Sequence, residues 1–256
     1  HETSYDKFHS NYDRIYRLEG DEYAKLPPLF GQHLKNNLSE VEDVAFLAMN
    51  FKNFISYTPE GHNKRKKEVE VSRLHADSST FSVFSFIFLK GDPKSALAEP
   101  MTCVITKGTA AKLFGDRDPI DKTIELEQGQ YRVTGIIEDV KSSHVEIDIL
   151  FSLSSFQKTD PQFDANRMVH SWTWSATYLL AAPGVSPTVL EEKINSALSE
   201  INKAQLVDTD FEHFHLRPLG DLYLNGDVLK LSYGLHGNWK NITILSFVGI
   251  FLLILA

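Results

Sequence analysis

The chain has 256 residues, 42% of them hydrophobic and 23% charged, enough to bury a sizeable core and too apolar for intrinsic disorder. Its 26 Lys and Arg against 34 Asp and Glu give a formal charge of -8, the wrong sign for a phosphate backbone and hence for a nucleic-acid partner. The single cysteine, Cys103, excludes an intramolecular disulfide and a Cys-rich metal knuckle, and leaves the compartment open.

In chain order, Ile15 to Glu19 alternates apolar and polar residues, which predicts a half-buried strand. Pro27 and Pro28 precede Leu29, Phe30, Leu34 and Leu38 at helical spacing, so an amphipathic helix with proline in its first turn follows. A second strand is expected from Val44 to Tyr57, returning through Pro59-Glu60-Gly61-His62-Asn63 as Glu68 to Leu74. The basic run Lys64-Arg65-Lys66-Lys67 sits at this hairpin tip. It could touch anionic lipid or a partner, but charge at a loop tip reads first as a solvated turn.

The rings of Phe81, Phe84, Phe86 and Phe88 suit a core, and Gly91-Asp92-Pro93 ends their run. A short helix follows, with Thr106 as N-cap, Ala110, Ala111, Leu113 and Phe114 inside it, and Gly115 terminating it with a positive φ. Thr123 to Leu126 and Tyr131 to Ile137 read as strands around Gln128-Gly129, and Val145 to Leu153 as a third. After a polar loop from Asp160 to Asn166, alternation resumes at Trp172, Trp174, Ala176, Tyr178 and Leu180. Ser186-Pro187 then opens a helix carrying Val189, Leu190, Ile194, Ala197, Leu198 and Ile201 on one face, and Phe211 to Arg217 returns as a strand. The order strand, helix, strand thus occurs twice around an aromatic α+β piece. Two matching halves separated by an insertion is the architecture this predicts.

From Ile242 to Ala256 the sequence carries no charge. Fifteen residues fall somewhat short of the roughly 20 that cross a bilayer, yet nothing signals a helix end, so a cut transmembrane helix is expected. Ile244, Leu245, Phe247, Val248, Ile250, Phe251 and Leu252 would face lipid, with Trp239 and Lys240 in the headgroup zone. His1 stands in place of an initiator methionine and no signal-peptide pattern follows, so the chain reads as a piece of a longer one.

The usual catalytic constellations are missing. The sequence contains no G-x-x-x-x-G-K-[ST], G-x-S-x-G, H-E-x-x-H or G-x-G-x-x-G, so nucleotide hydrolysis would belong to a partner. His213 and His215 share a strand face but lack a visible third metal ligand, and His9, His144 and His170 are scattered. The pairs Asp208 with Asp210 and Glu138 with Asp139 are expected by chance among 34 acids. No catalytic residue, metal or cofactor is assigned.

Several strings together resemble the extracytoplasmic domain of MacB/FtsX-type ABC-transporter permeases. Ser4-Tyr5-Asp6-Lys7-Phe8-His9, followed by Asp13-Arg14-Ile15-Tyr16-Arg17, resembles the segment after that family's first transmembrane helix. Val104-Ile105-Thr106, Leu113-Phe114-Gly115 and Asp118-Pro119-Ile120 resemble its mid-domain signature, and Tyr131 to Ile137 with Ser143-His144 to Ser152 its continuation. Asp121 stands where the family generally has glycine and Ser142 where asparagine is common, departures that bear on turn geometry.

The resemblance implies an α+β, two-lobed periplasmic domain. Residues 1–76 and 166–238 would form the two β-α-β halves of a porter-like lobe, 77–165 an inserted Sabre-like lobe, and 241–256 the start of a transmembrane helix. It implies a bacterial inner-membrane permease, not an enzyme, that transmits ATP-driven motion for export or extraction of an antimicrobial peptide, macrolide or lipoprotein. The implied partners are a cytoplasmic ABC ATPase, a second permease copy or a related permease, and a periplasmic adaptor. The alternative is an extracytoplasmic ligand sensor with a pocket at Phe81 to Phe88 or at Trp172 and Trp174.

Overall fold

The computed structural model describes residues 4–21, 23–59, 65–127, 129–159, 175–203, 211–224, 234–235, 237, 243–244, 247–248 and 251–252. The strands are β1 Ile15–Gly20, β2 Val41–Tyr57, β3 Lys67–Ala76, β4 Phe88–Lys90, β5 Thr102–Thr106, β6 Thr123–Leu126, β7 Gly129–Ile137, β8 Ile149–Ser152, β9 Ser175–Ala181 and β10 Phe214–Pro218. The helices are α1 Pro28–Asn37, α2 Thr80–Val83, α3 Lys107–Phe114, α4 Phe156–Thr159 and α5 Pro187–Lys203. Among the described residues the strands form one sheet in the order β10-β1-β9-β2-β3-β8-β5-β7-β4, with β6 bridging β2 and β7.

The first four strands in that order are mutually antiparallel, and β1-α1-β2 with β9-α5-β10 makes a split β-α-β arrangement. Both helices cover one face. Leu34 of α1 and Leu190, Ile194 and Leu198 of α5 are fully buried against Tyr16, Leu18, Val44, Phe46 and Leu179. Each such side chain contributes about 1.5–3 kcal/mol of burial. The expected twofold strand-helix-strand order is therefore present.

A register shift between Ala48 and Phe51 divides β2, and its second part pairs with β3. From there β3, β8, β5 and β7 follow, and β6 returns from β7 to Ser56 of β2, closing the strands into a small ring. Cys103, Ile105, Val133, Ile149 and Phe151 pack in this cluster with Leu113 and Phe114 of α3. The α3 ends are as the sequence predicts: Thr106 Oγ1 accepts from the Thr109 amide, and Gly115 has φ +62°. Two strands were not foreseen, β4 and β5. Each is short, and β5 runs straight into the α3 cap, so neither shows alternation long enough to read.

Phe84 is buried while Phe81, Phe86 and Phe88 pack partly buried against a third cluster that includes Leu47, Leu74, Val104 and Tyr178. The aromatic run fills a core, as expected. Trp172, Trp174, the Asp160 to Asn166 loop, Lys64, Trp239 and Lys240 lie outside the described residues. Of the predicted membrane residues, Leu245 and Ile250 do too. Ile244, Phe247, Val248, Phe251 and Leu252 are all exposed, by 48–68%, at the spacing of one helix face. No helix of the described residues is long and apolar enough to cross a membrane.

Asp121 and Ser142 have φ of 60° and 53°, so the left-handed backbone that glycine or asparagine would favour is kept at both positions. Gly91, with φ +90°, lies so close to Gly135 and Thr134 that an added Cβ would meet the Thr134 carbonyl. Gly91→Ala combines that clash with a left-handed penalty of about 1–2 kcal/mol, and an unfolding free energy lowered by at least this much, measured by urea titration, is the expected result.

Candidate functional site

The alternation in β1 places Ile15, Arg17 and Glu19 on the face away from α1 and α5, where solvent would be expected. A second layer covers that face instead: residues 4–14, the segment around Phe84, the loop 142–145, and Leu219 and Leu222. Arg17 and Glu19 are 1% and 2% exposed. This corrects the half-buried reading of β1, whose six residues are all buried.

Two buried charges require partners, and the fold supplies them. Glu19 Oε1 accepts from Arg17 Nε at 2.9 Å and Nη2 at 2.6 Å, and Arg217 Nε of β10 donates to both Glu19 oxygens at 2.8 and 2.9 Å. Arg17 also hydrogen-bonds the Tyr178 hydroxyl, whose cross-strand partner in β1 it is. Tyr178 in turn lies 2.6 Å from His144 Nε2, and His144 Nδ1 lies 2.9 Å from Asp6 Oδ1 at ion-pair distance. Asp6 accepts from Ser143 Oγ at 2.9 Å and from the His144 amide at 3.1–3.2 Å.

Arginine has no acceptor, so the Tyr178 oxygen accepts from Arg17, and the same hydroxyl shares a hydrogen bond with His144 Nε2. Burial, the largest influence on Asp6, raises its carboxyl, but the His144 charge and the bonds from His144 and Ser143 outweigh it and hold the group below its ordinary 3.8. Burial first, then the surrounding acids, push the Tyr178 hydroxyl up against the opposing pull of Arg17.

The same loop receives a second chain segment. The Leu235 amide donates to the His144 carbonyl at 2.5 Å, and Gly234, at φ +93°, passes so close that a Cβ would sit 2.5 Å from that oxygen. Tyr5 stacks on Tyr223 with ring centroids 3.4 Å apart and planes within 3°. Asp6 and Ser142 are both left-handed non-glycine residues, and the Asp6 amide donates to the Ser142 carbonyl at 2.7 Å. Strain of about 1–3 kcal/mol per residue persists only where the surroundings hold it. His9 adds a further fastening: its Nδ1 accepts from the Ser85 amide at 3.1 Å, and burial, partly opposed by Asp6, lowers its pKa to about 4.

A family model of the MacB-like periplasmic core domain matches residues 2–197. The chain belongs to this family. A domain of a permease protein from Porphyromonas gingivalis is similar in structure, with TM-score 0.65 and 20% identity over 92% of this chain and 98% of that one. The periplasmic region of MacB from Actinobacillus actinomycetemcomitans gives TM-score 0.56 and 12% identity over 81% and 89%. The extracellular domain of the noncanonic ABC-type transporter YknZ from Gram-positive bacteria gives 0.53 and 14% over 79% and 98%. At these identities the likeness is one of fold. No curated protein matches.

In this MacB-like domain His9 and His144 come together around Asp6 rather than lying scattered, while His170, Asp208 and Asp210 fall outside the described residues. Among the described residues no group of His, Cys, Asp and Glu is placed to hold a metal. His215 lies 3.6 Å from Glu191 on the surface, Glu138 pairs with Lys107, and Asp139 accepts from the Gly108 amide. Cys103 is buried, and that burial raises its thiol pKa. Sequence reasoning missed Asp6, Tyr178, Arg17 and Glu19 as a unit. The available signal was opposite charges two apart in a strand, with a tyrosine alternating among apolar residues.

Tyr178→Phe leaves His144 and Arg17 short of a buried partner, and a loss of about 1–3 kcal/mol in denaturant unfolding is expected. The pH dependence follows from His9 and from His75, whose burial, reinforced by Arg73, lowers it to about 3. Unfolded, both take up protons near 6.5, so between about pH 6.5 and 4 the unfolded state binds more protons and stability falls as pH drops. Asp6 adds stability above its unfolded value of 3.8 that is lost below it. His9→Asn, which keeps an acceptor for Ser85, is expected to remove about 2 kcal/mol of that acid-side change, read from urea unfolding at pH 7 and 4.5.

Proposed function

We propose that this domain is the extracytoplasmic part of an ABC-transporter permease subunit and passes motion from membrane helices to its outer surface, catalysing nothing itself. One observation carries the reading: the segment containing Asp6 and the segment containing Leu235 both seat on the loop 142–144, and that loop is wired to the central strands through His144, Tyr178 and Arg17. Displacement of either segment reaches the sheet through groups that cannot move independently without stranding a buried charge.

In this reading the exposed apolar stripe from Ile244 to Leu252 begins a transmembrane helix, and a second would precede residue 1. The split β-α-β part is the porter-like lobe and the strand ring the Sabre-like one, with a cytoplasmic ATPase and a second permease copy as partners. The substrate would be of the peptide, macrolide or lipoprotein type. Of the described rings that a ligand-sensing role would need as a pocket, Phe81 packs on Phe88 at 4.8 Å and Phe84 on Tyr178 at 5.0 Å, which leaves Phe86 on a cavity of only about 220 Å³. That favours the permease.

Full-length protein purified from its native membrane is expected to carry a nucleotide-binding ABC subunit, and ATP is expected to change amide hydrogen exchange in residues 142–144. Asp6→Asn should preserve ATP hydrolysis and abolish that change. A kinase or cyclase partner, or exchange in this loop indifferent to ATP, would refute the proposal.

A further inference from the structure

The basic run at the β2–β3 hairpin reads from sequence as a solvated turn, but the fold brings a distant cation to it. Arg65, Lys66 and Lys67 line a cavity of about 820 Å³ together with Arg117, which follows the end of α3, and with Phe114 and Pro59; Asp116 is the carboxylate on its rim. Gly115 turns the chain here, and the Lys67 ammonium lies 4.0 Å from where its Cβ would be, over the negative end of α3.

Several cations elsewhere on this acidic surface are paired, Arg14 with Glu42, Lys35 with Asp43, Lys90 with Asp118, and Arg132 with both Glu99 and Asp121, and those without an ion pair among the described residues, such as Lys94, do not line this cavity. Around the cavity only Lys66 has an acid near it, Glu125 at 4.0 Å; among the described residues Arg65, Lys67 and Arg117 are not ion-paired. Among the described residues four cations here meet two carboxylates, Asp116 on the rim and Glu125 beside Lys66, and in a chain of net charge -8 that local excess forms a site whose counter-charge is supplied from outside.

We propose that this cavity binds a phosphomonoester or diphosphate group. Two guanidinium forks present paired N–H donors suited to phosphate oxygens, Lys67 adds a point charge, and a group of charge -2 or more matches the excess where a single carboxylate would not. A cavity of this size takes a phosphorylated headgroup or a small soluble phosphate compound. The assignment is independent of the permease reading.

Titration of the 256-residue chain in non-ionic detergent with pyrophosphate is expected to saturate and to weaken with salt. Arg117→Gln and Arg65→Gln should each weaken binding about tenfold, while Lys94→Gln on another surface leaves it unchanged. Thermal unfolding of the three variants checks that each is folded. Vesicles of phosphatidylcholine with phosphatidic acid locate the source: capture above that by phosphatidylcholine alone, competed by pyrophosphate, identifies a lipid headgroup, and pyrophosphate binding without it identifies a soluble ligand. No saturable binding, equal loss in Lys94→Gln, or tighter binding of an oligoglutamate peptide than of pyrophosphate would overturn the proposal.

Discussion

The rest of the structure depends on how a carboxylate and a guanidinium are kept inside the protein. Asp6 is fully buried and Arg17 nearly so. Neither could be there alone, because the penalty for removing one ion from water is several kcal/mol even after relaxation. Each is held by neighbours from distant parts of the chain: Asp6 by residues 143 and 144, Arg17 by Glu19 and by Tyr178 of β9. The string therefore acts less as a source of net stability than as a specification. It admits one placement of residues 4–9 and of the loop 142–144 on the sheet, since any other leaves a buried charge without its counterpart.

That specification explains why the face of β1 opposite the helices is covered at all. An antiparallel sheet can leave one side to water, and a strand with Arg and Glu on that side would ordinarily do so. Here the covering layer is itself polar at its contact points, so Arg17, Glu19 and Tyr178 are satisfied by protein groups while Ile15, Ala45, Leu47 and Leu180 gain an apolar cover. Polar and apolar burial on one face are achieved together. Phe84 shows the join: its ring meets both Tyr178 and His9, the one in the sheet and the other in the covering segment.

Much of the fold was legible because it rests on periodicity. The helices α1 and α5, the hairpin β2–β3, the Thr106 cap and the glycine after Phe114 all follow from spacing and residue type, which are local properties. The relay was not legible, because its members lie at positions 6, 17, 19, 144, 178 and 217 and only tertiary structure juxtaposes them. Alternation in β1 was read correctly as a period of two. What it could not reveal is whether the polar side meets water or another layer, since both give the same pattern. The convergence of Arg117 on the basic hairpin is the same kind of case: a charge run is visible in sequence, whereas its missing acids are visible only in three dimensions.

In the permease role proposed above, the register shift in β2 would give the relay a mechanical meaning. The strand belongs to both parts of the sheet, pairing with β9 from Val41 to Ala48 and with β3 from Leu47 to Tyr57, so the split β-α-β part and the closed ring share one continuous backbone. Strands bend most easily at such irregularities, where the ladder is locally interrupted. Ala45 faces Tyr178 across the ladder, three residues before the shift begins. In that role a displacement entering at Asp6 or Leu235 and passed through His144 to Tyr178 would arrive next to the point where the sheet can flex. The ring beyond it is packed by Ile105, Val133, Ile149 and Phe151 without polar gaps among those side chains, and a closely packed body moves as a unit rather than absorbing the motion. In the proposed permease role, the closely packed ring, the interrupted strand and the polar string would together act as a lever, with the cationic cavity at the hairpin and α3 on the ring's side of it.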